Sequence, residues 1–442
     1  MKYGYGAKVA VYRPWSCMIH FMQRMDTRVL VFLLCVGCTP GLAGAAAAQS
    51  DHVNADQTVS GAMNPWQTCL VELRSKALQQ DIDANTVDSV LNRVEQLPRV
   101  IQADRSQPEF TETFTDYYRK RVNEFRVDKG RELLATHAAL LRRIQNETGI
   151  PPHYLVALWG LETNFGSYFG KLSIPSALTT LACDTRRSGL FTRELFALMR
   201  IIEAGDMAYE DFIGSWAGAV GHMQFMPSTF LSHAVDGDGD GVKNLVGSVE
   251  DALLSGATYL AKAGWQPGFR WGREVLLPAN FDYTLAGLDQ QRALSDWRAI
   301  GITDVFAKPI PAINLRASLL VPSGHTGPAF LVYPNFHVIM EWNRSQYYAL
   351  SVGRLADRIA GAGRLHRPLP DIALTTQALK DLQAGLNALG YAAGPSDGVL
   401  GPGTRKAIRR YQQAHGLLAD GFPNDMLMQS VAAQNAAQSI TN

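Results

Sequence analysis

An excess of charge of either sign is missing from this chain. Its 442 residues hold 41 Lys and Arg against 40 Asp and Glu, a formal net charge of +1. Nucleic-acid binders usually show a basic surplus, so the balance argues against that class, although it leaves room for a local basic groove. Charged residues are scarce altogether at 18%, below the usual share of about 25%. There is no run of like charge, no collagen-like period and no metal-type cysteine spacing. A spanning helix needs about 20 apolar residues, and the strongest apolar run, Val29 to Val36, is shorter. What is plentiful is apolar material, 47% of the chain. That permits a large core and excludes global disorder. The length suggests about two or three domains.

The amino terminus reads as an export signal. Arg24 and Arg28 precede the apolar run, and Ala45 to Ala48 follow it, with no charge from Val29 to Ser50. Charge, short apolar stretch and small-residue site make a secretory signal with cleavage after Ala48. The long segment before the run points to a true start at Met22 or Met25. A second reading makes Val36-Gly37-Cys38 a lipid-attachment site, with Cys35 an unusual residue three positions earlier. An uncleaved anchor is disfavoured by Pro40 and the glycines. Three of the five cysteines (Cys17, Cys35, Cys38) fall in this leader, so the mature chain keeps Cys69 and Cys183. In an oxidising compartment these suggest one disulfide; two buried thiols are the alternative.

Beyond a polar segment at 49–64, helical spacing covers Trp66 to Leu97, with Asn85 as a cap inside it. It resumes over Gly130 to Thr148, closed by Gly149, and over Tyr154 to Glu162 behind Pro151-Pro152. Further helices are expected over 189–204, 249–263 and 347–362. Between 265 and 345, short apolar runs (Glu274–Leu277, Ala329–Tyr333, Val338–Trp342) read as strands of a small β region. Pro368 and Pro370 mark a linker. Past it, Leu379, Leu382, Leu386 and Leu389 form one helix face. Ala407, Ile408 and Tyr411 form another, with Thr404 as its N-cap.

Three patterns carry chemistry. Leu158-Trp159-Gly160-Leu161-Glu162-Thr163-Asn164-Phe165-Gly166 puts a carboxylate in the last turn of an apolar helix. Helix carbonyls and apolar surroundings both disfavour its ionised form, so its pKa should rise. A carboxylic acid protonated near neutral pH is what glycosidic cleavage requires; the plain alternative is a solvated helix-end Glu. The segment from Gly214 to Ser228 combines small residues with Trp216 and Phe225, flat faces for sugars, and Ser215 and Gln224, hydrogen-bonding groups. A glycine-rich core segment would have the same composition. Asp236-Gly237-Asp238-Gly239-Asp240-Gly241-Val242 begins like an EF-hand calcium loop. Its twelfth position is Gly247 instead of Glu, leaving Glu250 or Asp251 to close the shell. The alternative is a solvated acidic turn.

The Glu162-Thr163-Asn164-Phe165-Gly166 segment, the Gly-Ser-Trp-Ala-Gly-Ala block with Gln224-Phe225-Met226-Pro227-Ser228, and the Asp236–Val242 loop occur in this order. In this the chain resembles lytic murein transglycosylases of the B type (glycoside hydrolase family 103) over about residues 65 to 365. Leu389-Gly390-Tyr391, Asp397-Gly398, Gly401-Pro402-Gly403-Thr404 and Gly416-Leu417 resemble the small helical peptidoglycan-binding module. The resemblance implies an α+β, predominantly helical fold: a lysozyme-like catalytic domain with a small β region, then a three-helix module. It divides the chain into a signal (1–48), a disordered linker (49–64), a catalytic domain (65–365), a linker (366–374) and a peptidoglycan-binding domain (375–436).

By the same resemblance Glu162 is the single catalytic acid/base. Tyr118, Arg186, Arg187, Ser215, Gln224, Asn343 and Tyr348 are groove residues, and Asp236, Asp238, Asp240, Val242 and Asp251 hold a structural Ca2+. No organic cofactor is implied. The implied partner is the peptidoglycan glycan strand in the periplasm, with other cell-wall enzymes as further candidates. No nucleic acid is involved, and a membrane only through a lipid on Cys38. His222 is given no role, and Trp342 stands where some relatives have Tyr. The rival readings are a muramidase-type hydrolase, which needs a second carboxylate or a held water, and a non-catalytic wall-binding scaffold.

Overall fold

The structure, a computed structural model, describes residues 64–106, 112–371 and 374–441. The export signal, the lipid site at Cys38 and the segment at 49–63 lie outside the described residues.

Asn64 starts the described chain as a helix cap: its Oδ1 accepts from the Gln67 amide at 2.8 Å, and Pro65 fills the first turn. Helix α1 (Pro65–Leu78) is followed by α2 (Ala84–Leu91), α3 (Pro98–Ser106), α4 (Phe114–Arg121), α5 (Glu124–Thr136) and α6 (Ala138–Thr148). The cap of α2 is Asp83, which accepts from the amides of Asn85 and Thr86; Asn85 is the donor there, not the cap. The periodic stretch 130–148 is two helices, broken at His137. Gly149 closes the second one in the left-handed region at φ 74°.

Helix α7 (Pro152–Thr163) is buried on every side from Tyr154 to Gly160. That explains why its sequence is apolar without a polar stripe: α5, α6 and later helices α11 (Val249–Lys262) and α14 (Gln346–Ile359) surround it. Between them come α8 (Ile174–Ala182), α9 (Ser188–Glu203) and α10 (Pro227–His233). Strand β1 (Leu172–Ser173) pairs antiparallel with β2 (Ile213–Gly214). Cys69 of α1 and Cys183 at the end of α8 form a disulfide, with Cα atoms 5.9 Å apart.

The β region is a five-stranded antiparallel sheet of β3 (Gly272–Leu276), β4 (Gln291–Ala293), β5 (Thr303–Asp304), β6 (Arg316–Leu320) and β7 (Ala329–Val332), in the order β4-β6-β7-β3-β5. One face joins the main core through Leu320, Phe330 and Val332. The other packs with Trp297 of α12 (Leu294–Ala299) in a second core. The apolar run Val338–Trp342, read as a strand, belongs instead to α13 (Pro334–Trp342). Pro334 at its first turn starts a helix, and a short fully apolar run has no period to separate the two states.

The last three helices, α15 (Thr376–Ala388), α16 (Pro402–Ala414) and α17 (Asp425–Thr441), share a small core of Leu382, Leu386, Ile408, Tyr411 and Leu427. The cap of α16 is Gly401. Thr404 lies inside the helix, buried, with its hydroxyl donating to the Ala393 carbonyl at 3.2 Å. These helices are held firmly to the rest of the fold. Arg405 donates to the Pro322 carbonyl and to the Tyr347 hydroxyl, Arg409 to the Ala286 carbonyl, and His325 pairs with buried Asp420 at 2.7 Å. The residues leading to them are held too: the amides of His366 and Arg367 both donate to the buried Glu274 carboxylate at 2.9 Å.

Candidate active site

Glu162 sits one residue before the end of α7. The chain leaves the helix through two consecutive non-glycine residues in the left-handed region, Asn164 (φ 50°) and Phe165 (φ 63°). This reversal folds the Phe165 ring back on Gly160, where a Cβ would come within 2.7 Å of it. Gly166 follows at φ 78°, and a Cβ there would meet the His222 ring at 2.4 Å. Two glycines in Gly160–Gly166 are therefore dictated by close approach.

The Glu162 carboxyl is enclosed by neutral donors. The Trp342 indole N–H donates to its Oε1 at 3.0 Å, and the Tyr348 hydroxyl donates to the same oxygen. Burial pushes the pKa of Glu162 up to about 7, and the two donors, which favour the carboxylate, offset only part of that rise. No other carboxylate is among the groups that set this pKa. Tyr348 is driven well above the usual phenol range by burial and by Glu162 itself, so it remains a donor. With Oε1 engaged twice, Oε2 is the oxygen placed to carry and deliver a proton.

Trp342 is anchored edge-on to Tyr259 (5.0 Å between centroids) and tilted against Phe225 (5.4 Å). Phe225 adjoins Gln224, which takes a left-handed φ of 48° and donates from Nε2 to the Gly221 carbonyl at 3.0 Å. Ser215 lies on the same loop, with its hydroxyl accepting from the Ala219 amide. Asn343 directly follows Trp342, is exposed, and accepts from the Ser345 amide. Glu162, Trp342 and Tyr348 thus form one bonded cluster, and Gln224 and Asn343 adjoin its aromatic support in the chain.

The other groove expectations fare differently. Tyr118 is buried at 6% exposure, and burial pushes its phenol up while nearby Arg354, itself buried, draws it down. Helix geometry turns Tyr117, one residue earlier, to another side: its ring packs 6.0 Å from that of Tyr347, and it acts electrostatically on Tyr348. Both tyrosines are buried in the core, Tyr117 at 5% and Tyr118 at 6% exposure. Arg186 and Arg187 both engage the buried carboxylate of Asp104 in α3. They tie the α8–α9 turn to the amino-terminal helices. His222 is a support. Its Nδ1 accepts from the Trp159 indole at 3.0 Å, and its carbonyl accepts from Thr163 Oγ1 at 2.9 Å. Burial pushes its pKa down to about 4, so it is neutral.

The role that sequence reasoning missed is that of Trp342. Its indole N–H donates to the acid, and nothing in its local sequence announces that.

In the acidic loop, one carboxylate oxygen each from Asp236, Asp238 and Asp251 lie within 4.8 Å of one another, a hard oxygen set of the kind Ca2+ takes. Asp240 is outside this trio and accepts instead from the Val242 amide at 2.9 Å. Asp251, 1% exposed, also accepts from the amides of Gly237, Asp238 and Asn244 and so organises the loop itself. Glu250, the other candidate to close the shell, pairs with Arg143.

Residues 65–357 match the transglycosylase SLT domain family, and residues 375–430 match a peptidoglycan binding domain. The chain belongs to the transglycosylase SLT domain family. This transglycosylase is 33% identical over 284 residues to the membrane-bound lytic murein transglycosylase B of Escherichia coli K12, covering 63% of this chain and 75% of that one. It is similar to SltB3 of Pseudomonas aeruginosa in complex with NAG-anhNAM-pentapeptide, at 41% identity and a TM-score of 0.80. That match spans 84% of this chain and all of the other. The Escherichia coli transglycosylase Slt35 in complex with calcium matches at 28% identity and a TM-score of 0.57, over 68% of this chain and 93% of that one. Among the described residues, no helix is long and apolar enough to cross a membrane.

Proposed function

We propose that this peptidoglycan lytic transglycosylase works through Glu162 alone as acid and then base. The observation that carries the reading is a carboxyl raised to about 7 by burial, held on one oxygen by two neutral donors, with no carboxylate partner. Protonated Glu162 gives its proton to the oxygen linking N-acetylmuramic acid to N-acetylglucosamine. Positive charge develops at the muramyl C1 as that bond breaks, and the N-acetyl group of the same sugar is positioned by its own chemistry to share it. The Glu162 carboxylate, now stabilised by Trp342 and Tyr348, takes the proton of the muramyl C6 hydroxyl. That oxygen closes on C1, giving a 1,6-anhydro end without consuming water. A retaining or inverting hydrolase would pair the acid with a second carboxylate about 5–9.5 Å away.

The catalytic body (65–365), a linker (366–374) and a wall-binding module (375–436) behind an export signal fit an enzyme acting on peptidoglycan in the periplasm. Ser215, Gln224, Asn343 and Tyr348 are proposed to face the glycan strand. The pH dependence of kcat/KM on soluble glycan strands tests the acid: activity should decline as pH rises through about 7. A decline centred near 4 to 5, the ordinary carboxyl range, would reject Glu162 as the proton donor.

Asp236, Asp238 and Asp251, with the Val242 carbonyl, are proposed to hold Ca2+, which would neutralise their mutual repulsion and fix the loop. Calcium should raise the melting temperature, and Asp238→Ala should remove that rise. An equal rise in the variant would place the ion elsewhere.

A further inference from the structure

A cavity of about 930 Å³ opens where the carboxy-terminal helices meet the body, and its wall draws on both. From α16 come Arg405, Lys406 and Arg409; from the body come Arg344 and Tyr347. Its charge is unbalanced. Four cations face three carboxylates on its wall: Glu112 is already paired with Lys120 and Arg121, Asp420 is already bonded to His325 and Gln412, and exposed Asp289 acts on Arg409. The cations are less satisfied. Lys406 is exposed and has no partner among the described residues, and Arg344 reaches Glu341 only at 3.9 Å. The Arg409 Nε is buried without an acceptor.

The cavity is coupled to the catalytic acid by one short segment. Trp342 and Tyr348 donate to Glu162, while Arg344 and Tyr347, between them, line the cavity. Tyr347 and Tyr348 are successive helix residues and so point about 100° apart, one to each side. Arg405 fixes this arrangement by donating to the Tyr347 hydroxyl at 2.9 Å. The donors to Glu162 and part of the cavity wall thus share the one segment Trp342–Tyr348. A five-residue peptide spans up to about 17 Å when extended.

We propose that this composite cavity binds the carboxylates of the peptide stem on the muramyl unit being cleaved, with Lys406 and Arg344 as the contacts. The proposal rests on the peptidoglycan reading above and names a part of the substrate that the Glu162 chemistry does not touch. The carboxy-terminal helices then act inside the substrate site, choosing peptide-bearing strands, as well as holding the wall.

The test compares strands with intact stems and strands stripped of peptide, using the full chain. The wild type should prefer the peptide-bearing strand in kcat/KM. Lys406→Ala should cut that preference about tenfold, the factor carried by one charge-assisted contact of ordinary strength, with the change in KM. Lys406→Glu should cut it further and Lys406→Arg should restore it. Calorimetry of a muramyl pentapeptide disaccharide on Glu162→Gln reads the same contact without turnover. A preference unchanged in every Lys406 variant, or both strands losing equally, would overturn the assignment. Failure of the wild type to make anhydro ends, with the disaccharide still binding in a Lys406-dependent way, would overturn the reaction and leave the cavity standing.

Discussion

Glu162→Gln should lower the rate of anhydro-end formation by on the order of 10³-fold or more, while binding of glycan strands survives. General acid–base catalysis alone contributes about 10²–10⁴-fold, and here one group supplies both halves. The amide keeps the shape and the bonds from Trp342 and Tyr348 but can neither give nor take the proton. The same substitution should stabilise the fold above neutral pH. A carboxyl whose folded pKa is raised contributes stability fully present below its unfolded pKa, near 4.5, and loses it as pH rises through the folded value, near 7. The wild type therefore carries a cost above pH 7, on the order of 1–3 kcal/mol, that the variant lacks. Denaturant unfolding at pH 5 and pH 8 should show the two proteins converging at the lower pH. A variant less stable than the wild type at pH 8 would mean that Glu162 is ionised and well paired in the fold.

Loss of the Cys69–Cys183 disulfide should cost about 4–5 kcal/mol. The two cysteines are 114 residues apart, and closing a loop of that length removes about that much chain entropy from the unfolded state. Reductant, or Cys69→Ser with Cys183→Ser, should lower the unfolding midpoint accordingly. Other contacts run in parallel: the amides of Glu95 and Leu97 donate to Ser176 and Thr180 of α8, and Asp104 holds Arg186 and Arg187. The fold should therefore weaken without separating, and the Glu162 chemistry should persist at room temperature. A change below about 1 kcal/mol would mean that the unfolded chain stays compact here without the disulfide, against the loop-entropy account.

What was legible in the sequence was local. Glu162 could be singled out because the residues that raise its pKa, the apolar turns of α7, adjoin it in the chain. The acidic loop was legible for the same reason, although Asp240 falls outside the carboxylate trio because it closes a turn on Val242. What was hidden is long-range. The donors to Glu162 come from 180 and 186 residues further on. An indole that can stack on a sugar gives no sign that its N–H faces an acid. That Tyr117 and Tyr118 are both buried depends on how α4 packs against the body, which two adjacent tyrosines do not encode. Thr404 looks like a cap by composition, but Gly401-Pro402 starts the helix earlier and turns the threonine inward. The docking of the last three helices depends on Arg405 and Arg409 finding carbonyls of the β region, and no pattern within either segment announces those pairs.

The most direct test of the central claim is the mass of the muropeptides released from purified sacculi. Acid and base in one carboxylate predicts products lighter by one water than their hydrolytic counterparts, ending in 1,6-anhydromuramic acid. Reducing muramyl ends would contradict it, because they require a water and a second group to activate it.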